Sequence, residues 1–186
     1  IRLVSRATDA VAGRLNVVDP HPVMLEDITV GQVSAAGGEC AFRYVRSAID
    51  AALSGEVSSV VTAPLNKEAL HLAGHNYAGH TEIFGEFTHG ERYAMLLWSD
   101  KLKAIHVSTH ISLRQACEAC TKERVTDVIH LAHETLCKAG YEKPRIAVAG
   151  LNPHAGEGGI FGDEEIRSIA PAVEVCRAEG IAVTGP

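Results

Sequence analysis

The chain predicts an α/β fold with a largely parallel sheet and one antiparallel pair. Short apolar runs of strand length alternate with stretches whose apolar residues recur at helical spacing. Strands separated by helices in this way pair in parallel, because a helix supplies the crossover. Two runs, "YAMLLWS" and "LKAIHVS", are separated only by "DK", which marks them as a hairpin and hence the antiparallel pair.

In chain order, the segment 12 to 39 is rich in turn residues and reads as a connector between two lobes. Residues 1–39 are therefore expected to form a partial N-terminal lobe and connector, and residues 40–186 a central α/β lobe. "ECAFRYVRSAIDAALSGE" reads as a helix stopped at Gly55. "VSSVVTAP" reads as a short buried strand ended by Pro64. "NKEALHLAG" reads as a short helix with Asn66 as its cap and Gly74 as its stop. After the hairpin, "TKERVTDVIHLAHETLCKAG" reads as a long helix. Thr121 caps it, and Val125, Val128, Ile129, Ala132 and Leu136 form its buried face. "PRIAVAG" is the next strand. "DEEIRSIAPAVEVCRAEG" is a helix whose first turn is acidic, as the macrodipole favours, and "IAVTGP" is one more strand.

Composition narrows the function classes. The 186 residues are 46% hydrophobic and 22% charged, ordinary values for a globular protein with a real core. A net charge of −6 argues against a nucleic-acid partner, which needs clustered cations. No apolar run is long enough to span a membrane. Ile1 rather than methionine opens the chain, so a preceding segment is expected. The cysteines, Cys40, Cys117, Cys120, Cys137 and Cys176, are odd in number and scattered in spacing, so no disulfide framework is expected. That usage fits a reducing, cytoplasmic compartment. Cys117 and Cys120 form a CxxC, open to redox or metal chemistry. Its context favours two small side chains facing a core.

The polar loops fall where sites belong in parallel sheets, beyond the carboxyl ends of strands. "TAPLNK", "STHISLR" and "GLNPHAGEGG" each follow a strand, and "AGHTEIFGEF" precedes one. His110 and His154 sit on two of these loops. Each either binds a borderline metal over one crevice or hydrogen-bonds its own loop. A catalytic metal takes three protein ligands, so a third must come from Asp163, from residues outside this sequence or from another chain. Thr81 either caps the helix "EIFGEF" or offers its hydroxyl to an anion beside His80. Lys67 stands at a helix start, where a cation is electrostatically misplaced, and is either a solvated lysine or a substrate contact. His130 and His133, three apart on the long helix, are a metal pair or a polar flank. GxGxxG is absent, so a nicotinamide cofactor would not use the standard Rossmann turn.

"TAPLNKEAL", "GHTE", "STHISLR" and "GLNPHAGEGGIFGDEE", in this order, resemble the 4-hydroxythreonine-4-phosphate dehydrogenase family from about residue 40 onward. The resemblance implies a three-layer α/β/α fold like that of isocitrate and isopropylmalate dehydrogenases, a homodimer, and a site in the cleft between two lobes. It implies NAD-linked oxidation, with decarboxylation, of a 4-phosphorylated hydroxy acid, dependent on a divalent metal such as Zn, Mg, Mn, Co or Ni. His110 and His154 correspond to metal ligands, and His80 and Thr81 to substrate contacts; Lys67 is a candidate for the substrate phosphate. The substrate implied is either 4-phosphooxy-L-threonine, on the route to pyridoxal phosphate, or 4-phospho-D-threonate or D-erythronate, and the wording of "APLNKEALHLAG" is closer to the second branch. The family's third metal histidine, in a Tyr-His-Asp-Gln-Gly motif, and its N-terminal Gly-Asp-Pro-Ala-Gly-Ile-Gly motif are not in this sequence. The chain is therefore expected to be the middle of the enzyme and inactive by itself. A non-catalytic metal-binding α/β module is the alternative.

Overall fold

The computed structural model describes residues 1–20 and 28–186, so part of the expected connector, residues 21–27, lies outside the described residues. The chain divides into two compact units, Ile1–Glu91 and Arg92–Pro186. Residues 39 and 40 lie inside a helix of the first unit.

In the first unit, β1 (Arg2–Leu3) pairs in parallel with β2 (Asn16–Val17). Helix α1 (Ala35–Leu53) begins earlier than its apolar pattern suggests. Ser34 caps it, its hydroxyl accepting from the Gly37 amide at 3.1 Å. Helix α2 (Lys67–Leu72) is capped by Asn66, as expected, and Gly74 leaves it at φ +87°. Helix α3 is His80–Phe87. The core of this unit is Val45, Ile49, Leu70 and Ile83, with Phe42, Leu65, Tyr77, Phe84 and Phe87 packed around it. Gly38 lets α1 and α2 touch: a Cβ there would lie 1.9 Å from the Ala69 carbonyl oxygen.

The expected strand 57–64 is not one. Its backbone pairs with no strand among the described residues, and Val61 is 95% exposed. The Val57 amide is used by the Ala51 carbonyl at the end of α1 instead. An apolar run becomes a strand only where a neighbour supplies the ladder.

In the second unit, β3 (Leu96–Trp98) and β4 (Lys103–Ile105) form the expected antiparallel hairpin, with Leu97 opposite Ala104. Helix α4 (Leu113–Ala119) starts with a reciprocal capping box between Ser112 and Gln115. Helix α5 (Lys122–Lys138) starts at Thr121, whose hydroxyl accepts from the Arg124 amide at 3.2 Å. Its Val125, Val128, Ile129 and Ala132 are buried as expected; Leu136 is half-buried. Strands β5 (Ile146–Ala147) and β6 (Val183–Thr184) pair in parallel. Between them run a π-helical segment, Glu165–Ile169, and helix α6 (Ala170–Ala178). The core joins Val125 and Ile129 to Ile169, Ala172, Val173, Cys176, Ile181 and Val183. The fold is thus mixed α/β with two parallel pairs and one antiparallel pair. Among the described residues these are three separate two-stranded ladders, not the continuous sheet expected. No helix among the described residues is long and apolar enough to cross a membrane.

Candidate active site

The loop after β5 carries the longest left-handed run among the described residues. Residues 154–158 are all left-handed, with φ of 53°, 51°, 76°, 43° and 65°, inside the turn Pro153–Gly159. Three of them, His154, Ala155 and Glu157, carry a Cβ. A left-handed conformation costs such residues roughly 1–2 kcal/mol each. Strain of this kind persists only where the surroundings enforce it, and it concentrates at functional sites.

Glu165 lies at the base of this turn. It is buried, and one carboxylate oxygen accepts from the amides of Leu151 at 2.7 Å and Asn152 at 2.8 Å. The other accepts from the Asn152 side-chain amide at 2.9 Å. Asn152 donates also to Glu164 at 2.7 Å. Charge-assisted hydrogen bonds of this kind each contribute about 1.5–3 kcal/mol. Burial pushes the Glu165 carboxyl up, but the bonds from the Asn152 side chain and from the amides of Asn152 and Leu151 outweigh it, and the group sits below the usual carboxylate range. Gly156 packs against the same carboxylate: a Cβ there would lie 2.9 Å from it, and 2.8 Å from the Gly162 carbonyl.

On this turn His154 is exposed. Its ring lies 6.2 Å from that of Phe161, and its nitrogens have no hydrogen-bond partner among the described residues. His110 occupies the equivalent place after β4, also exposed and also left-handed at φ 57°. Its stem is fixed by α5: Arg124 donates to the carbonyls of Val107 at 2.8 Å and Tyr93 at 3.0 Å. The stems of the two histidine loops meet. Val107 and Ser108 line one 150 Å³ cavity with Ala149, Gly150 and Leu151, and Cys120 and Ile169 close it. Two imidazoles on loops whose stems line one cavity are donors of the kind that a borderline divalent metal takes. Asp163, one candidate for a third ligand, is instead paired with Arg167 at 2.7 Å.

The first unit presents the other three candidates on helix starts. Lys67 is the first residue of α2, exposed and without a partner among the described residues. His80 and Thr81 are the first two residues of α3 and are half-buried. Thr81 is not the cap of this helix. Buried Gly79 holds that position, two residues earlier, which frees the threonine hydroxyl from capping.

Other chemistry-bearing residues resolve into packing. Cys117 is exposed, not core-facing as expected, because α4 buries none of its residues; Cys120 is buried at the end of α4. Burial first, then Glu165, Glu164 and Cys117, push the Cys120 thiol up, away from the thiolate that redox chemistry needs. His130 and His133 do not act as a pair: His130 bonds Glu179 at 2.6 Å, and His133 lies 3.6 Å from the Cys137 sulfur. His130, Glu179 and buried Cys176 have ligand atoms within 4.8 Å of one another. The carboxylate is already satisfied by the histidine there, and burial pushes the Cys176 thiol up.

The whole of residues 1–186 matches the protein family described as pyridoxal phosphate biosynthetic protein PdxA. The D-threonate 4-phosphate dehydrogenase of Salmonella typhimurium is 50% identical over all of this chain and 58% of its own length. The 4-hydroxythreonine-4-phosphate dehydrogenase of Beijerinckia indica is 49% identical over 84% of this chain and 47% of its own. A crystal structure of 4-hydroxythreonine-4-phosphate dehydrogenase from Klebsiella pneumoniae superposes with a TM-score of 0.86 at 50% identity, covering all of this chain and 56% of that one. The chain therefore spans about half the length of the relatives it matches, and across that span it belongs to the PdxA family.

Proposed function

We propose that this chain is the histidine-bearing part of a nicotinamide-dependent dehydrogenase that oxidises a CH–OH group of a 4-phosphorylated hydroxy acid. His154 carries this reading: an imidazole with no partner among the described residues, held out on a left-handed turn beside the His110 stem. D-threonate 4-phosphate is the substrate favoured, because the Salmonella protein named for it is 50% identical along the whole chain. 4-Phosphooxy-L-threonine, on the pyridoxal phosphate route, is the competing substrate. The reading includes a homodimer, a cytoplasmic location and NAD as the hydride acceptor.

His110 and His154 would hold a divalent ion such as Zn, Mg, Mn, Co or Ni. When bound, the ion would lower the pKa of the substrate hydroxyl and stabilise the oxyanion of oxidation and of the decarboxylation that follows. His80 and Thr81 offer a ring and a hydroxyl at the start of α3, where backbone amides also point outward and favour anionic groups. Lys67 offers an unpaired ammonium to the phosphate. A bound nicotinamide cofactor would supply the acceptor for the hydride of the substrate carbon as the hydroxyl loses its proton, and the β-keto acid so formed would lose carbon dioxide.

The experiment is spectrophotometric. The full-length protein, supplied with a divalent metal and NAD, should form NADH from D-threonate 4-phosphate faster than from 4-phosphooxy-L-threonine. Activity on neither acid would refute the dehydrogenase reading. A reversed preference would refute the substrate assignment alone.

A further inference from the structure

We propose that Glu165 is the positioning residue of the His154 loop, acting through Asn152 and the backbone between them. The proposal rests on the reading of His154 as a metal ligand, and goes beyond it by naming what aims that ligand.

Among the described residues Glu165 is the buried charged side chain, and it forms no ion pair there. A carboxylate so placed must find its partners among hydrogen-bond donors. Besides its own amide, the donors belong to the His154 loop: the amides of Leu151 and Asn152, and the Asn152 side chain. Asn152 is held at its main chain and its side chain at once, and Glu164 takes the second proton of the same amide at 2.7 Å. Two residues later the chain enters the left-handed run that begins at His154. Fixing Asn152 therefore fixes where that run starts, and with it the direction of the imidazole.

The rest of the site is built around this carboxylate. Atoms added at Gly150 and Gly156 would come within 3.2 Å and 2.9 Å of it, so the loop closes on it with no room to spare. Glu165 opens a π-helical segment, Glu165–Ile169, before α6 begins. Such segments shift the register of a helix by one residue and recur at functional sites. Here the segment lets Glu165 face the loop while Ile169, one turn on, faces the core.

Glu165→Gln is the informative substitution because it keeps size and shape. The new amide can accept from the two backbone amides, but its NH₂ then faces the Asn152 NH₂ at the present 2.9 Å, donor against donor. Asn152→Ala is the second variant; it removes the side-chain arm and leaves the backbone arm in place.

The test uses the full-length protein in two measurements. The first is hydrogen exchange without metal. In Glu165→Gln, amides within 151–162 should exchange at least about 10-fold faster, while those of α5 and α6 keep wild-type rates; Asn152→Ala should show a smaller effect in the same direction. Unchanged loop exchange would overturn the proposal. Equal loosening of loop and helices would overturn it too, since that is the behaviour of a core staple. The second is calorimetric titration with Mn²⁺ or Co²⁺. Glu165→Gln should bind metal about 10- to 100-fold more weakly, the loss typical when a residue orienting a ligand is changed. Unaltered affinity would overturn the positioning role. A wild-type protein that binds neither metal would remove the ligand reading of His154, and the exchange rates would then decide alone whether Glu165 holds the loop.

Discussion

At the scale of single residues, His154 sets stability against function. His154→Ala should abolish metal binding at this site yet leave melting in EDTA nearly unchanged, because an exposed loop side chain contributes little to the core. His154→Gly should raise the melting temperature in EDTA, by the equivalent of up to about 1 kcal/mol, since glycine relieves the strain at φ 53°. Calorimetry and melting curves check both; metal binding that survives either change would exclude His154 as a ligand. The histidine itself was legible in the sequence, because glycines after an apolar run announce a permissive loop at a strand end. Glu165 was not. An acid in the first turn of a helix reads as a solvated partner of the macrodipole, and only the folded loop shows it turned inward. A second residue-scale device lies in the first unit. The Glu39 carboxylate bonds His75 at 2.7 Å and also pairs with Arg43, while His75 stacks on Phe42 with ring centroids 3.7 Å apart. The bond from His75, and then that from Arg43, hold the Glu39 carboxyl below its ordinary 4.5. A depressed carboxyl contributes stability that is present above the unfolded value and lost as pH falls through the lower, folded one. Wild-type protein should therefore exceed Glu39→Gln in melting temperature above pH 4.5, and the gap should narrow as pH falls below that value. A gap independent of pH across this range would show that the carboxylate charge plays no part.

At the scale of elements, what could be read was local and what could not was long-range. Asn66 and Thr121 were identifiable as caps because a capping side chain bonds an amide three residues away. Thr121→Ala should cost about 1 kcal/mol in chemical denaturation, a loss confined to the end of α5; no loss would mean that the cap bond is replaced by water at no cost. The segment 57–64 has the composition of a strand, but strand formation depends on a partner elsewhere in the chain, and its own residues carry no sign of whether one is present. The meeting of α1 and α2 is similar. Nothing in "SAAGGECAF" distinguishes Gly38 as the point where another helix arrives. On propensity alone Gly38→Ala should stabilise α1 by about 1 kcal/mol. The contact reverses the sign: a Cβ at 1.9 Å from the Ala69 carbonyl oxygen, and 2.8 Å from the Leu70 amide nitrogen, meets backbone that cannot rotate away. The alanine variant should be destabilised by at least about 1–3 kcal/mol, as overpacking usually is. A stabilised variant would show that α1 and α2 do not approach in this way.

At the scale of the whole molecule, the chain matches 58% of the length of its Salmonella relative, and much of its apolar surface faces water. Val61 is 95% exposed, Leu113 88%, Ile160 74% and Leu102 71%. Trp98, Leu97 and Tyr141 add a further aromatic and aliphatic group on and beside the hairpin, with Lys103 over the Trp98 ring. Scattered apolar residues are normal on any surface, but contiguous patches of large ones are the kind of surface at which another segment or partner docks. The candidate site has a corresponding gap. On the proposed reading His110 and His154 would supply two of the three protein ligands that a catalytic metal ordinarily takes, and no described loop carries a dinucleotide fingerprint. A protein consisting of residues 1–186 alone should therefore produce no NADH from either phosphorylated acid at any metal concentration. It should also bind an apolar dye such as ANS more strongly, per mole, than the full-length protein does. Metal should bind it at least about 10-fold more weakly, because each missing ligand lowers affinity steeply. Steady NADH formation by the 186-residue protein would show that this chain holds metal, substrate and nicotinamide unaided, with His110 and His154 sufficient as ligands and the cofactor seated on a loop that lacks the fingerprint.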